Sequence, residues 1–115
     1  MKTVPALLLA ACCTSAVACD RLDATQVLAA MADMGAAWSE QGGTVALELG
    51  PAWDGAADPQ RLRLLGAFAA SDACLAGQSR RISFHRRGQL VGLAAGGAVQ
   101  LVGAGVRRAA VVACP

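Results

Sequence analysis

The sequence contains no tyrosine and only two tryptophans and two phenylalanines, so any core has to be assembled from Leu, Val and Ala. So few rings provide neither a stacking platform for nucleobases nor an aromatic-lined sugar groove. There is a single histidine and no C-x-x-C pair among the five cysteines, which leaves no closely spaced ligand set for zinc. That histidine, His85, is the only imidazole base on offer, and no serine lies in a G-x-S-x-G elbow, so a hydrolytic triad is not expected. Gly96-Gly97 and Gly103-Ala104-Gly105 lack the Lys-Ser/Thr that a phosphate-cradling loop needs and lead into strand-like residues. Asp54 and Asp58 are close in sequence, yet Asp58 is accounted for as a helix start. These absences point away from catalysis, and no catalytic residue, metal, cofactor or small-molecule substrate is expected.

Charge is also scarce, at 16% of residues against 56% hydrophobic, which excludes a disordered chain. A chain of 115 residues has room for one domain with one core.

The longest uncharged stretch is at the start. Thr3 to Ala18 carries no charge, Lys2 precedes it, and Val4 to Cys13 is apolar apart from Pro5. A basic start, an apolar centre and small residues at Ala16-Val17-Ala18 have the layout of a secretory signal cleaved after Ala18. With Cys19 next, residues 2–19 resemble a bacterial lipoprotein precursor, although Ala16 stands where Leu is usual. The resemblance implies lipidation of Cys19 and a periplasmic or lipid-anchored location. Leu9-Ala10-Ala11-Cys12 is a second lipobox-like stretch, with a short leader before it. The alternatives are a plain secretory signal and a buried first strand of a cytoplasmic domain, since short apolar runs do not distinguish a leader from a buried segment. No later run approaches a membrane span. The domain division expected is a signal peptide over 1–18 and a single small α+β domain over 19–115.

Beyond Cys19 the periodicity is helical. Leu22, Val27, Leu28, Met31, Met34 and Trp38 predict one amphipathic helix, capped by Asp23 or Thr25 and stopped by Gly42-Gly43. Thr44 to Leu49 alternates as a half-buried strand. Asp58-Pro59 opens a second helix with Leu62, Leu65, Phe68 and Ala69 as its buried stripe, a break near Ser71-Asp72 and an end at Gly77. Arg80 to Arg86 reads as a strand with Ile82 and Phe84 inward. Arg87-Gly88 and Gly96-Gly97 are tight turns into Gln89–Ala95 and Ala98–Val102, and Gly103 to Gly105 leads to Val106–Ala113. The predicted fold is α+β: two helices packed on one face of a mostly antiparallel sheet, in the order α-β-α-β-β-β.

If a leader carries away Cys12 and Cys13 and lipid takes Cys19, the remaining pair is Cys74 and Cys114, and an oxidising compartment favours a disulfide between them. The alternative is that both are small buried hydrophobes. The formal net charge of +2 conceals a division: all eight acids lie between Asp20 and Asp72, whereas from Ala73 onward there are six arginines and no acid. Arg80, Arg81, Arg86 and Arg87 bracket one predicted strand, and Arg107-Arg108 begins another. Such a field favours an anionic membrane surface or an acidic protein face as partner. The alternative is a solvated face neutralised by the acids of the same domain. Nucleic acid is not expected as a partner of an exported protein.

Residues 22–84 also resemble, more distantly, a STAS domain. The resemblance rests on Arg21-Leu22-Asp23-Ala24 opening a helix, on Val45-Ala46-Leu47-Glu48-Leu49 as a central strand, on Asp58 followed by Leu62, Leu64, Leu65, Ala67 and Phe68, and on Ala76-Gly77. It implies a cytoplasmic regulatory interaction module with reduced cysteines and two buried strands in the first eighteen residues. Two departures stand out. Pro59 occupies the place of the family's phosphorylatable Ser or Thr, and glycine-spaced sequence follows Ile82 where the family has a helix. The reading drawn from residues alone is a small exported, non-enzymatic binding protein with the arginine-bearing strand as its contact surface, and a STAS-like regulator as the alternative.

Overall fold

In the computed structural model, residues 19–103 and the strand 109–111 are described. The order is α1 (Arg21–Asp33), β1 (Ala37–Gln41), β2 (Thr44–Glu48), a 3-10 turn (Pro51–Trp53), α2 (Asp58–Ala76), β3 (Arg81–Arg86), β4 (Gln89–Ala95), β5 (Ala98–Leu101) and β6 (Ala109–Val111). The strands form one sheet in sequential order β1-β2-β3-β4-β5-β6. Every neighbouring pair is antiparallel except β2 and β3, which run parallel because α2 carries the chain back between them. The α+β architecture with two helices on a mostly antiparallel sheet agrees with the sequence expectation.

The first helix is shorter than its periodicity predicts. It is capped by Asp20, whose Oδ1 accepts the Asp23 N–H at 3.1 Å, rather than by Asp23 or Thr25. It ends at Asp33, and the chain leaves through Gly35 at φ 97°. Trp38 therefore lies in a strand, not on the helical stripe. Of that stripe only Met31 is fully buried, Val27 and Leu28 are partly so, and Leu22 and Met34 face water. Gly42-Gly43 is not a helix stop but the turn of the β1–β2 hairpin, with φ of 56° and 84°. Two consecutive positive φ values make a turn whose twist matches that of the flanking strands. Arg87-Gly88 and Gly96-Gly97 use the same device, as expected.

The second helix follows its stripe closely. Leu65 and Phe68 are wholly buried and Ala69 nearly so, while Leu62 packs at the margin. Ala57, not Asp58, holds the cap position, and Gln60 Oε1 accepts the Ala57 N–H at 3.1 Å. There is no break at Ser71-Asp72, which are buried as the helix continues to Ala76 and closes on Gly77 at φ 82°.

The core lies between α2 and one face of the sheet, where Val45, Leu47, Ile82, Phe84, Ala94, Val99 and Leu101 meet Leu65 and Phe68. Phe68 is its centre, edge-on to Trp38 at 5.1 Å and to Phe84 at 5.9 Å between ring centroids. Gly92 is what lets the helix come this close: a Cβ there would stand 2.5 Å from Leu65 Cδ1.

α1 packs on α2, and its start is also held by covalent and polar bonds. Cys19 is disulfide-bonded to Cys74, with Cα atoms 5.8 Å apart. Arg21 adds a guanidinium that donates to the Cys74 and Leu75 carbonyls at 3.3 and 3.4 Å, at the negative end of α2. The expected Cys74–Cys114 bond is thereby replaced, because Cys74 has only one sulfur to give; Cys114 lies outside the described residues. The same bond uses the Cys19 sulfur that lipidation would need. The predicted leader, residues 1–18, and Arg107-Arg108 also lie outside the described residues.

Candidate functional site: the arginine strand and the two faces of the sheet

Strand β3 lies inside the sheet, so its side chains alternate between a helix-covered face and an uncovered one. Ile82 and Phe84 point to the helices, and the positions in step with them beyond either end are Arg80 and Arg86. Arg81, Ser83 and His85 point the other way.

That alternation divides the four arginines. Arg80 is mostly buried and grips Asp72, itself 5% exposed, with Nε to Oδ2 at 3.0 Å and Nη2 to Oδ1 at 2.5 Å. Its Nη1 also meets the Glu40 carboxylate on β1. Donation to the Asp72 carboxylate, reinforced by the charges of Asp72 and Glu40, raises the Arg80 pKa further despite the opposing effect of burial. Arg86 makes a second two-pronged bond, to Asp54 Oδ1 at 3.0 Å and Oδ2 at 2.8 Å, and donates to the Leu49 carbonyl at 3.3 Å. The Arg86 hydrogen bond, with the charges of Arg86, Arg87 and Arg61, holds the Asp54 carboxyl below its ordinary range. The Asp54 bond in turn raises the pKa of Arg86.

Both clamps are structural. Arg80 ties the end of α2 to β1, and Arg86 ties the loop after β2 to the end of β3. Arg61 completes the second, stacking over Trp53 at 4.8 Å and donating to the Trp53 carbonyl at 2.9 and 3.1 Å. The sequence-predicted four-arginine surface is therefore reduced to two outlying cations. Arg81 is exposed on the uncovered face, and Arg87 is exposed at the β3–β4 turn, 3.4 Å from Asp54. Arg87 stands at φ 53°, and its turn is secured by Glu48, whose carboxylate accepts the N–H groups of Arg87 and Gly88.

The uncovered face mixes small and polar side chains with leucines. By strand register it carries Ser39 on β1, Ala46 on β2, Arg81, Ser83 and His85 on β3, and Leu93 on β4. His85 Nε2 and Ser83 Oγ lie 3.0 Å apart. This is a base beside a hydroxyl, but the backbone N–H groups of β3 are directed to β2 and β4, so the strand itself offers no donor pair for a developing oxyanion. A shallow depression lined by Ala37, Ser39, Ala46, Glu48 and His85 lies next to the pair.

Among the described residues there is no cluster of His, Cys, Asp and Glu that could hold a metal ion, and no helix is long and apolar enough to cross a membrane. No protein family, curated protein or solved structure matches this chain. The fold at the two points where the sequence departs from STAS domains is plain: Pro59 is in the first turn of α2, and β3 turns back as β4.

Proposed function

We propose that this is a small exported protein that acts by binding rather than by catalysis, soluble rather than lipid-tethered, and that its uncovered sheet face is the contact surface. The observation that carries the compartment is the Cys19–Cys74 bond joining the two helices. Disulfides of this kind persist where the surroundings are oxidising, and a thiol committed to one cannot carry a thioether-linked lipid. Signal cleavage after Ala18 would leave Cys19 as first residue with its sulfur already spoken for.

The partner chemistry follows from the division of the arginines. Arg81, with Ser83 and His85 beside it in a row, supplies cation and hydrogen-bond donors to an acidic protein surface or to anionic headgroups. Arg80 and Arg86 contribute to the fold instead.

The test is the intact mass of the protein recovered from the envelope fraction of a bacterial host expressing the full chain. A species beginning at Cys19, without acyl mass and lighter by two hydrogens than its reduced form, is the expected result. An uncleaved chain in the cytosol with free thiols at Cys19 and Cys74 would overturn the reading and leave the STAS-like alternative.

A further inference from the structure

The two edges of the sheet are unequal. β6 is three residues long, whereas β1 is five residues long and exposed throughout. Natural sheets blunt such an edge with Pro, charged side chains, a bulge or a covering element. β1, Ala37-Trp38-Ser39-Glu40-Gln41, has no Pro, its single charge at Glu40 is neutralised by Arg80, its pairing with β2 is free of bulges, and among the described residues no backbone bond reaches its outer side.

The hairpin geometry settles which groups face outward. In a two-residue turn of this type the flanking residues, Gln41 and Thr44, form a hydrogen-bonded pair. The N–H and C=O groups of Gln41, Ser39 and Ala37 then point to β2, and those of Trp38 and Glu40 point away from it. Two donors and two acceptors are thus left in a row, symmetric about Ser39.

We infer that β1 pairs antiparallel with β1 of a second copy, the two-fold axis passing beside Ser39, to give a continuous twelve-stranded sheet. In this register Trp38 of one chain opposes Glu40 of the other in both directions, and all the outward backbone groups of Trp38 and Glu40 are satisfied. The two Ser39 residues oppose each other as a pair without backbone bonds between them. No like charges meet: each Glu40 lies beside an indole, and it remains joined to Arg80 of its own chain. Trp38, 36% exposed although its ring packs on Phe68, gains cover from the partner strand. A shift by one residue would oppose outward groups to inward ones, and a shift by two, centring the axis on Trp38 or Glu40, would place the other residue opposite a position outside β1, so the register centred on Ser39 is the one that pairs all four outward groups within the strand.

The experiment is sedimentation equilibrium of the full chain from micromolar to millimolar concentration, with amide exchange followed by NMR. The expected result is a mass that rises toward the dimer, with the Trp38 and Glu40 amides becoming protected as it does. Ser39→Lys, which opposes two cations without touching the β1–β2 bonds, should weaken the dimer ~10-fold or more. Ser39→Cys, in a chain also carrying Cys12→Ser, Cys13→Ser and Cys114→Ser, should cross-link on mild oxidation, since opposed residues of this kind lie within disulfide reach at about 4.5 Å between Cα atoms. Gln41→Cys in the same background should not, because it would oppose Ala37. A monomer at all concentrations overturns the inference, as does equal cross-linking of the two cysteine variants. Protection of the Trp38 and Glu40 amides in the dilute monomer also overturns it, since another segment of the same chain would then occupy the edge.

Discussion

The two faces of this sheet use the same strands for opposite purposes. On β3, Ile82 and Phe84 are packed under α2 while Ser83 and His85, one residue out of step, meet solvent. Arginines follow the same parity. Those in step with the core, Arg80 and Arg86, close its two ends against Asp72 and Asp54; Arg81, out of step, is exposed on the uncovered face, and Arg87, in the turn, shares Asp54 with Arg86. A run of charge along a sequence thus says little about a charged surface until strand parity and the partners across the fold are known.

Substitutions on the covered face should produce the largest effects. Phe68→Ala removes the ring between Trp38 and Phe84 and should cost about 4 kcal/mol in urea unfolding, whereas Leu93→Ala on the uncovered face should cost well under half of that. If the two losses were equal, the distinction between the faces would fail. Cys74→Ser opens a loop with a sequence separation of 55 and should cost about 4 kcal/mol by the chain-entropy relation, in non-reduced protein only. Arg80→Gln removes both guanidinium bonds from the buried carboxylate of Asp72 and should cost about 3 kcal/mol.

The Arg86–Asp54 clamp, being exposed, should be weaker and should depend on pH. The Asp54 pKa is lowered by Arg86, so the clamp's contribution is complete above the ordinary carboxylate value of 3.8 and is lost as pH falls through the lowered one. The difference in urea midpoint between the parent and Arg86→Gln should therefore be constant near neutrality and close below that range. The smallest effect on stability belongs to Arg81→Gln, within about 0.5 kcal/mol of the parent. That same change should reduce binding to vesicles of anionic lipid or to an acidic protein, and Arg80→Gln assayed under folding conditions should reduce it less.

Much of this arrangement is legible in the residues. The alternation of β2 and β3, the stripe of α2, and the dipeptides Arg87-Gly88 and Gly96-Gly97 each carry a local signal with a single structural reading. β1 does not. Ala36-Ala37-Trp38-Ser39-Glu40-Gln41 has helix-compatible residues and continues the spacing of Met31 and Met34, so propensity favours prolonging α1. Tertiary packing decides otherwise: Gly50, where a Cβ would stand 2.2 Å from the Met34 carbonyl oxygen, lets the turn at Gly35 press against the end of β2. The clamps were illegible for a different reason. Arg86 and Asp54 are 32 residues apart and Arg80 and Glu40 are 40 apart, distances over which no periodicity speaks. The cysteine pairing likewise depends on which helix ends meet, and α1 running antiparallel to α2 brings Cys19, not a distant tail, to Cys74.

The attachment of α1 has a thermodynamic consequence of its own. Only Ala24 and Met31 of this helix are fully buried, and it packs on α2 rather than on the strands, so its opening would leave the sheet paired. The covalent link at its leading end turns that opening into a hinged excursion about Cys74, from which the helix returns at high local concentration. Reduction would remove that pivot, loosening one layer of the molecule while α2 and its half of the core stay assembled.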